Sequence, residues 1–351
     1  MQSSGNLVPG ISAIFVNKEG FWMELFSNIC RQCGLGEPVS QPFPLNGGFL
    51  HKMYGLTTDQ GKFALKLLNP HIMGRETAKE NFETAERLEG ILEREGLPIL
   101  PALTIGGKKM QQAEGQFFYL FPWYDGKSVQ GGEIQPRHCA EMGRALAQIH
   151  RVSRKDSGGE GTPVSVEWFS LGKALKEVDG ELSQRLGERL PLLCQFQERS
   201  SCALRRIPVF SAICHNDMDP KNVLWIGMEY RIIDLECLSY SNPLAELLET
   251  ALCWAGFDGM DFSPEKLRAF LDAYAEQDEA MLKDVDWESL YDGSTGRLSW
   301  LEYNLKRALG IESGESEREI GKAEALRELE RIAYYVEMRE TVLKAIAHSA
   351  Y

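Results

Sequence analysis

Side chains able to do chemistry lie together in one short stretch of the second half of the chain. Residues 215–222 read HNDMDPKN and contain Asp217 and Asn222, and Asp234 follows twelve residues later inside the apolar run RIIDL. A carboxylate can orient a reacting hydroxyl and accept its proton, and amide and carboxylate oxygens are ligands that suit magnesium. Phosphoryl transfer from ATP requires these groups. The spacing predicts Asp217 as the catalytic base and Asn222 and Asp234 as metal ligands.

The residues around this stretch predict how the three side chains meet. Residues 213–214 and 223–225 are typical of short strands on either side of a loop, and residues 230–235 of a third strand. The turn before that third strand would return Asp234 to the side of Asn222. Each polar residue alone is explained as well by a cap on a turn. Together, at one end of a buried hairpin, they are costly without a cation or a partner.

Other residues of the stretch have less specific predictions. We expect His215 to hold the loop by hydrogen bonds rather than to exchange protons, because the oxygen ligands already account for the chemistry. Asp219 and Lys221 fall between the motif positions. They either face solvent or contact substrate or phosphate.

The first half of the chain is predicted to bind the nucleotide. Lys66 lies among apolar strand residues in FALKL, where a lysine needs a partner, and the phosphates of ATP with a helix glutamate would provide one. The alternative is an edge-strand lysine that reaches water. Of the glutamates on the following helix, the position of the Leu-Pro helix stop favours Glu86, with Glu83 next if the helix is offset.

Two further segments are assigned to nucleotide binding by their order along the chain. Gly47 and Gly48 would let backbone amides approach phosphates, although a Gly-Gly pair is also a common turn. The apolar residues 117–123 would form the connector against which adenine stacks, with Phe121 and Trp123 as the contacts.

Hydrophobic periodicity and turn residues predict an α+β fold. A helix over residues 20–33 precedes antiparallel strands over 52–56 and 62–68, a helix over 75–95, and strands near 100–105 and 117–121. The rest is mainly helical, with helices around 141–150 and over 170–202, 243–256, 264–280, 298–309 and 320–348. Ser263 followed by Pro264 is a good helix start signal.

Composition and charge exclude several classes of function. The net charge is −13, and residues 125–351 contain 27 Lys/Arg against 39 Asp/Glu. Nucleic acid is an unlikely partner for such a chain, because phosphate binding needs a basic face. A cationic substrate would be attracted to the acidic half, although an acidic surface also serves solubility alone. No run of about 18 apolar residues occurs and the start lacks a signal-peptide pattern, so we expect a cytoplasmic protein that does not cross a membrane.

These motifs resemble the aminoglycoside phosphotransferase and choline kinase superfamily over roughly residues 40–310. The resemblance is carried by LNGGFLHKMYGL with GKFALKLL, by EMGRALAQIH, by CHNDMDPKNVLW and by RIIDLECLSYSNPLAELLETAL. It implies a protein-kinase-like two-lobed fold, with an N-terminal extension (1–34), a nucleotide-binding N-lobe (35–122) and a helical C-lobe (123–351). ATP and Mg²⁺ would bind between the lobes, and the γ-phosphate would pass to a hydroxyl of a small molecule.

The acceptor and the class of activity have alternatives. Aromatic and acidic residues suit an amino sugar or a quaternary amine, and they would equally well be core and surface; the candidates are Asp219, Glu236, Trp254, Trp300 and Glu302. A catalytically inactive kinase fold that serves as a binding or structural protein is the second hypothesis. A protein kinase is the third, and the replacement of Asp-Phe-Gly by Asp234-Leu-Glu, with no activation segment, argues against it.

Overall fold

The computed structural model describes residues 18–45, 51–156, 163–311 and 317–349. The chain folds as two compact units, and each is described separately. The first contains the residues up to Lys79 together with Leu100–Asp125, and the second contains Glu80–Ile99 and the residues from Gly126 onward. The helix over residues 78–94 therefore belongs almost wholly to the second unit.

The first unit is an antiparallel sheet covered by one helix. The helix α1 spans Lys18–Cys33 and the short helix α2 spans Pro70–Met73. The five strands are ordered β1-β2-β3-β5-β4, with β1 at Phe43–Leu45, β2 at Lys52–Thr58, β3 at Gly61–Leu67, β4 at Gln111–Ala113 and β5 at Gln116–Pro122. Buried residues of the helix and the strands form a separate apolar core, including Leu25, Ile29, Leu65, Phe118 and Leu120.

The predicted strand near residues 100–105 is wrong. The Leu103 amide donates to the carbonyl of Leu120 at 2.7 Å, and Ile105 forms only an isolated bridge with Lys108. Pro101 offers no amide proton, so a continuous ladder cannot form along this segment. The strand that forms a hairpin with β5 is instead β4, which pairs with the start of β5.

The second unit is mainly helical. Its helices are α3 Ala78–Arg94, α4 Pro136–Val152, α5 Trp168–Lys176, α6 Gly180–Leu204, α7 Pro243–Trp254, α8 Pro264–Leu282, α9 Trp287–Asp292, α10 Gly296–Ala308 and α11 Arg318–Ile346. The helix predicted over 170–202 is two helices, because Asp179 caps a new start by accepting from the Leu182 amide at 2.9 Å. The short helix α9 was not predicted.

Two small sheets in this unit position the loops of interest. The strands β6 Arg154–Asp156, β7 Phe210–Cys214 and β10 Ser239–Ser241 form a sheet in the order β10-β7-β6. The strands β8 Val223–Ile226 and β9 Glu229–Ile232 form a hairpin. The segment after α3 joins this hairpin through a parallel bridge between Ile99 and Ile232.

Helix starts follow the capping signals in the sequence. Ser263 accepts a hydrogen bond from the Lys266 amide at 3.3 Å, which confirms the predicted start of α8 at Pro264. Asn242 caps α7 in the same way, by accepting from the amides of Leu244 and Ala245. These bonds satisfy amide groups that have no partner within the helix.

Close packing joins the helices of the second unit. The helices α4 and α8 approach so closely at Gly143 that a β-carbon there would lie 2.1 Å from the carbonyl oxygen of Phe270. Tyr291 and Tyr335 stack at 4.1 Å, and each hydroxyl donates to the other residue's carbonyl oxygen. In the part of the chain that is described, no helix is both long and apolar enough to cross a membrane.

Candidate active site

The loop between β7 and β8 carries the predicted catalytic residues, and His215 anchors its start. His215 is fully buried. Its Nε2 lies 3.1 Å from the carbonyl oxygen of Ile233, to which it donates, and its Nδ1 accepts from the Asp217 amide at 3.2 Å. Both ring nitrogens therefore hold the backbone, which leaves neither of them to exchange protons with a substrate.

Asn216 fixes the loop against the strand β10. Its backbone is left-handed, with φ of 62°. Its side-chain nitrogen donates to the Cys237 carbonyl at 2.8 Å and to the Ser239 hydroxyl at 3.0 Å, and its oxygen accepts from the Ser241 hydroxyl at 2.6 Å. A local side-chain network thus supports a backbone conformation that non-glycine residues rarely adopt.

The Asp217 carboxylate has two side-chain partners. The Asn222 nitrogen donates to its Oδ2 at 2.8 Å, and Lys221 Nζ lies 3.1 Å from its Oδ1. The same Lys221 Nζ lies 3.1 Å from Asp219 Oδ2. Burial and the charge of Asp219 raise the pKa of Asp217 to about 6, even though Lys221 lowers it. Such a carboxyl is ionised near neutral pH and is a stronger base than an exposed aspartate.

The β8–β9 hairpin brings Asp234 to the same corner. Val223 pairs with Ile232, and the Ile233 amide donates to the Asn222 carbonyl at 2.9 Å. The strand ends at Ile232, two residues before Asp234, which takes a left-handed conformation with φ of 63°. This corrects the predicted strand over 230–235. The charge of Asp234 also contributes to the raised pKa of Asp217, so the carboxylates are near each other.

The oxygen atoms of this corner fit a hard divalent cation. Asn222 uses its side-chain nitrogen to donate to Asp217, so its Oδ1 is not the atom that holds Asp217. Asp234 supplies a charged oxygen near Asp217. Amide and carboxylate oxygens with room for water and phosphate are the usual protein ligands of Mg²⁺.

Two residues that support the loop were not recognised from the sequence. Glu246 on α7 accepts a hydrogen bond from the Asn216 amide and lies 2.8 Å from His150 Nε2 on α4. His150 lies in the motif EMGRALAQIH, and Glu246 follows an Asn-Pro step, but neither pattern shows that the two side chains meet. Their separation of 96 residues leaves no local signal.

Trp254 does not fit its predicted role as a substrate contact. The side chain is fully buried, and its Nε1 donates to the Met218 carbonyl at 2.8 Å. The ring therefore packs behind the catalytic loop and holds the backbone of the residue after Asp217. A buried Trp N–H usually requires such a partner.

The remaining predicted substrate residues have varied surroundings. Glu236 is half-buried in the turn that follows Asp234. Trp300 is 36% exposed and stacks on Tyr303 at 5.5 Å. Glu302 pairs with Lys306 at 2.9 Å on the same helix. Burial, together with the charges of Asp219 and Asp258, raises the pKa of the Cys253 thiol well above its usual value, so both carboxylates lie near that thiol.

The residues predicted to bind nucleotide lie in the first unit or on α3. Lys66 is buried in the middle of β3, opposite Met53 and Tyr119. Phe121 is half-buried on β5. Trp123 Nε1 donates to Asp125 at 2.7 Å.

The glycine pair and the helix glutamate complete the residues predicted to bind the nucleotide. Gly47 and Gly48 lie outside the described residues. On α3, Glu86 is half-buried, whereas Glu89 is 5% exposed. Burial of a carboxylate requires a donor or a cation, and this favours Glu89 over Glu86 as the helix glutamate with an ionic role.

The sheet-containing unit, the helical unit and the corner at Asp217 together define a phosphotransferase that acts on the hydroxyl group of a small molecule. The sequence model of the phosphotransferase enzyme family matches residues 43–291. The chain therefore belongs to this family, as the motifs predicted, and the α+β protein-kinase-like fold is confirmed by similar solved structures.

Three similar proteins illustrate the range of this family. A homoserine kinase of Methylobacillus flagellatus is 25% identical over 231 residues, which cover 65% of this chain and 67% of that protein. The structure of a spectinomycin phosphotransferase with ADP and spectinomycin has a TM-score of 0.66 at 14% identity, covering 92% of this chain and 97% of its own. A Plasmodium vivax ethanolamine kinase has a TM-score of 0.56 at 17% identity, covering 86% and 83%.

Proposed function

We propose that this enzyme transfers the γ-phosphate of ATP, in the presence of Mg²⁺, to a hydroxyl of a small acceptor that carries an amino group, with homoserine as the first candidate. The observation that supports the proposal most is the position of the Asp217 carboxylate, held by Asn222 and Lys221 with Asp234 nearby. Positioning and charge stabilisation are the main contributions of a protein to phosphoryl transfer.

The roles in the second unit follow from the atoms that each residue offers. Asp217 would orient the acceptor hydroxyl and take its proton. Asn222 Oδ1 and the Asp234 carboxylate would hold the magnesium ion, which would neutralise charge on the phosphates. His215 keeps Asp217 in place by accepting from its amide at 3.2 Å.

The roles in the first unit and on α3 remain proposals from the sequence. We assign Lys66 to the nucleotide phosphates, with Glu86, or Glu89 on the grounds of burial, as the helix carboxylate. Phe121 and Trp123 are assigned to the adenine, and Gly47 and Gly48 to the phosphates.

The acidic surroundings of the loop favour an acceptor with an ammonium group. Asp219 lies in the loop near Cys253, the second-to-last residue of α7. Homoserine has an ammonium group and a primary hydroxyl, and a homoserine kinase is among the similar proteins. Ethanolamine offers the same two groups and is the second candidate. Glu236 and the exposed face of Trp300 are proposed as further acceptor contacts.

The segment after Asp234 argues against a protein substrate. A short turn, Leu235–Cys237, and the strand β10 lead directly to α7, which begins at Pro243. Eight residues separate Asp234 from α7, so the chain lacks room there for the activation segment with which protein kinases bind peptides.

An acceptor screen tests the proposal. Purified enzyme with MgATP is offered L-homoserine, ethanolamine, choline, spectinomycin and L-serine, and ADP release is measured against a reaction without acceptor. We expect turnover with homoserine, and turnover with ethanolamine alone would change the acceptor. No turnover with any hydroxyl compound, together with no Mg²⁺-dependent thermal stabilisation by ATP, would support the inactive kinase fold instead.

A further inference from the structure

A chain of hydrogen bonds lies buried behind the catalytic loop. The Tyr274 hydroxyl is 2.8 Å from His150 Nδ1, and His150 Nε2 is 2.8 Å from Glu246 Oε2. The other oxygen of Glu246 accepts from the backbone amide of Asn216. Tyr274 and His150 are 0% exposed and Glu246 is 6% exposed. The chain connects three helices, α8, α4 and α7, to the residue that precedes Asp217.

We propose that His150 and Glu246 are positioning residues for phosphoryl transfer. They hold the Asn216 amide, and with it the left-handed backbone that sets the direction of Asp217. The inference rests on the proposed function for its effect on turnover, but not for its effect on the loop.

The geometry at Asn216 requires a support of this kind. A non-glycine residue with φ of 62° is in a conformation that persists only when its surroundings fix it. Its side chain is fixed by β10, but its amide proton points to the helical side, where a buried amide without an acceptor is costly. Glu246 supplies that acceptor.

His150 in turn fixes Glu246. A carboxylate this deeply buried is stable only with donors on both oxygens, and the donors here are the Asn216 amide and His150 Nε2. Burial acts to raise the pKa of Glu246, but these two hydrogen bonds and the nearby histidines outweigh it, so the pKa lies below its usual value. The carboxylate is therefore a permanent acceptor for the loop.

A metal site at the same residues is a less suitable explanation. His150, Cys214 and Glu246 place one ligand atom each within 4.8 Å of one another. However, 2.8 Å between Nε2 and Oε2 is a hydrogen-bond distance, and the Cys214 thiol is 3.5 Å from the Ser241 carbonyl, to which it donates. Hydrogen bonds already occupy every one of these atoms, so a cation is not needed.

Four variants test the role of the chain. Glu246→Leu removes the carboxylate, His150→Phe removes the ring donor beside it, and both roughly keep the side-chain volume. Glu246→Gln keeps an oxygen that can accept from the Asn216 amide. Thr250→Val is the matched control, since Thr250 is buried on the same helix one turn after Glu246.

Hydrogen exchange of the peptide over residues 213–222 measures how well the backbone amides of the loop are protected, and it requires no substrate. We expect amide exchange in this peptide to be about 10-fold faster in Glu246→Leu and His150→Phe than in wild type, because a buried hydrogen bond is lost. Glu246→Gln should remain within about threefold of wild type. Thr250→Val should leave this peptide unchanged, whatever it does to the melting temperature.

Kinetics with the acceptor found in the screen measure the consequence. A misplaced base about 1 Å from its proper position costs on the order of 100-fold in rate, so we expect kcat to fall about 10- to 100-fold in the two disruptive variants. KM for ATP should stay within about twofold, because Lys66, Asn222 and Asp234 are untouched, and Glu246→Gln should recover most of the kcat.

The outcomes separate the inference from the proposed function. If no acceptor is phosphorylated, the proposed function fails while the exchange data still test the loop. Unchanged exchange and kcat in folded Glu246→Leu and His150→Phe would overturn the inference.

If those two variants do not fold, the kcat of Glu246→Asp is measured instead, because a side chain shorter by one methylene cannot reach both partners. A wild-type kcat in this variant would overturn the inference. Stoichiometric zinc in the wild type that is lost in Cys214→Ala would overturn it as well.

Discussion

Two groups of charged side chains in the second unit have opposite balances. In the catalytic cluster, defined as Asp217, Asp219, Lys221 and Asp234, the first two carboxylates share one lysine among the described residues. The helix cluster contains two carboxylates and two guanidinium groups: Asp258, Glu328, Arg297 and Arg331. Arg297 lies 3.0 Å from Asp258 and 3.7 Å from Glu328, and Arg331 lies 3.6 Å from Glu328.

The difference in charge balance indicates which cluster would be stabilised by a bound cation. Arg297 and Arg331 lower the pKa of Asp258 against the effect of its burial, so the helix cluster neutralises itself. In the catalytic cluster, burial and Asp219 raise the pKa of Asp217 to about 6. An excess of negative charge at a partly buried site attracts a cation, and a metal ion or a cationic acceptor would compensate it. The following predictions break or sharpen this comparison.

The largest expected effect is the loss of the base in the catalytic cluster. Asp217→Asn keeps the shape and the hydrogen bond to Asn222, but it cannot accept a proton. We expect kcat to fall by about 10²- to 10⁴-fold, while magnesium-dependent stabilisation by ATP persists. The control is Asp286→Asn, which changes a cap of α9 and should leave kcat unaltered. Retention of more than one-tenth of the activity by Asp217→Asn would contradict the assignment.

In the helix cluster, loss of one cation should affect stability instead. Arg297→Gln leaves Glu328, whose side chain is 3% exposed, without its partner on α10. We expect the free energy of unfolding to fall by about 3 kcal/mol, measured by urea denaturation. Arg185→Gln removes an arginine that is 53% exposed and pairs with Glu188 and Glu330. This control should cost under about 1 kcal/mol, and equal losses in the two variants would refute the distinction.

The pH dependence of stability reports the balance within the helix cluster. Burial raises the pKa of Glu328 from 4.5 to about 6, even though Arg297 and Arg331 lower it. The folded state therefore binds a proton that the unfolded state releases between these values, so the contribution of this group is largest below pH 4.5 and is lost as the pH rises through 6. The loss amounts to about 2 kcal/mol.

Glu328→Gln removes this titration and isolates its effect. The free energy of unfolding of the variant minus that of the wild type should increase by about 2 kcal/mol between pH 4.5 and pH 7. A difference that stays constant over this range would show that the arginines hold the carboxylate fully ionised.

The smallest effect is expected for a partly exposed ion pair that belongs to neither cluster. Glu302 was predicted as a weak substrate contact, and it pairs with Lys306 one turn away at 2.9 Å. We expect Glu302→Gln to change the free energy of unfolding by less than about 0.5 kcal/mol and to leave KM for the acceptor unchanged. A severalfold rise in that KM would restore the predicted contact.

The sequence was sufficient to predict that the polar side chains of the loop and the hairpin lie in one region, because they are close along the chain. Asp217, Asn222 and Asp234 lie within 18 residues of each other, and a single hairpin brings them together. The strand before Asp234 was predicted too long, since the apolar run continues to Leu235, whereas the left-handed Asp234 ends the ladder. Periodicity along a segment does not reveal such a change of backbone conformation.

Residues that act across the fold could not be found in this way. The link between His150 and Glu246 spans 96 residues, and only tertiary packing forms it. Trp254 follows an apolar helical pattern that is equally compatible with a cleft or with a core, and its burial decides for the core. The greater burial of Glu89 compared with Glu86 on α3 was likewise not visible in the sequence, because it depends on what packs against the helix.

The glycine at position 143 has a consequence for evolution of the enzyme. It allows α4 and α8 to touch backbone to backbone, and these helices carry His150 and Tyr274. A methyl group there would separate the helices and lengthen the hydrogen bond between the two rings. An alanine at this remote position is therefore a mutation that natural selection would remove for its effect on catalytic efficiency, although the residue touches no substrate.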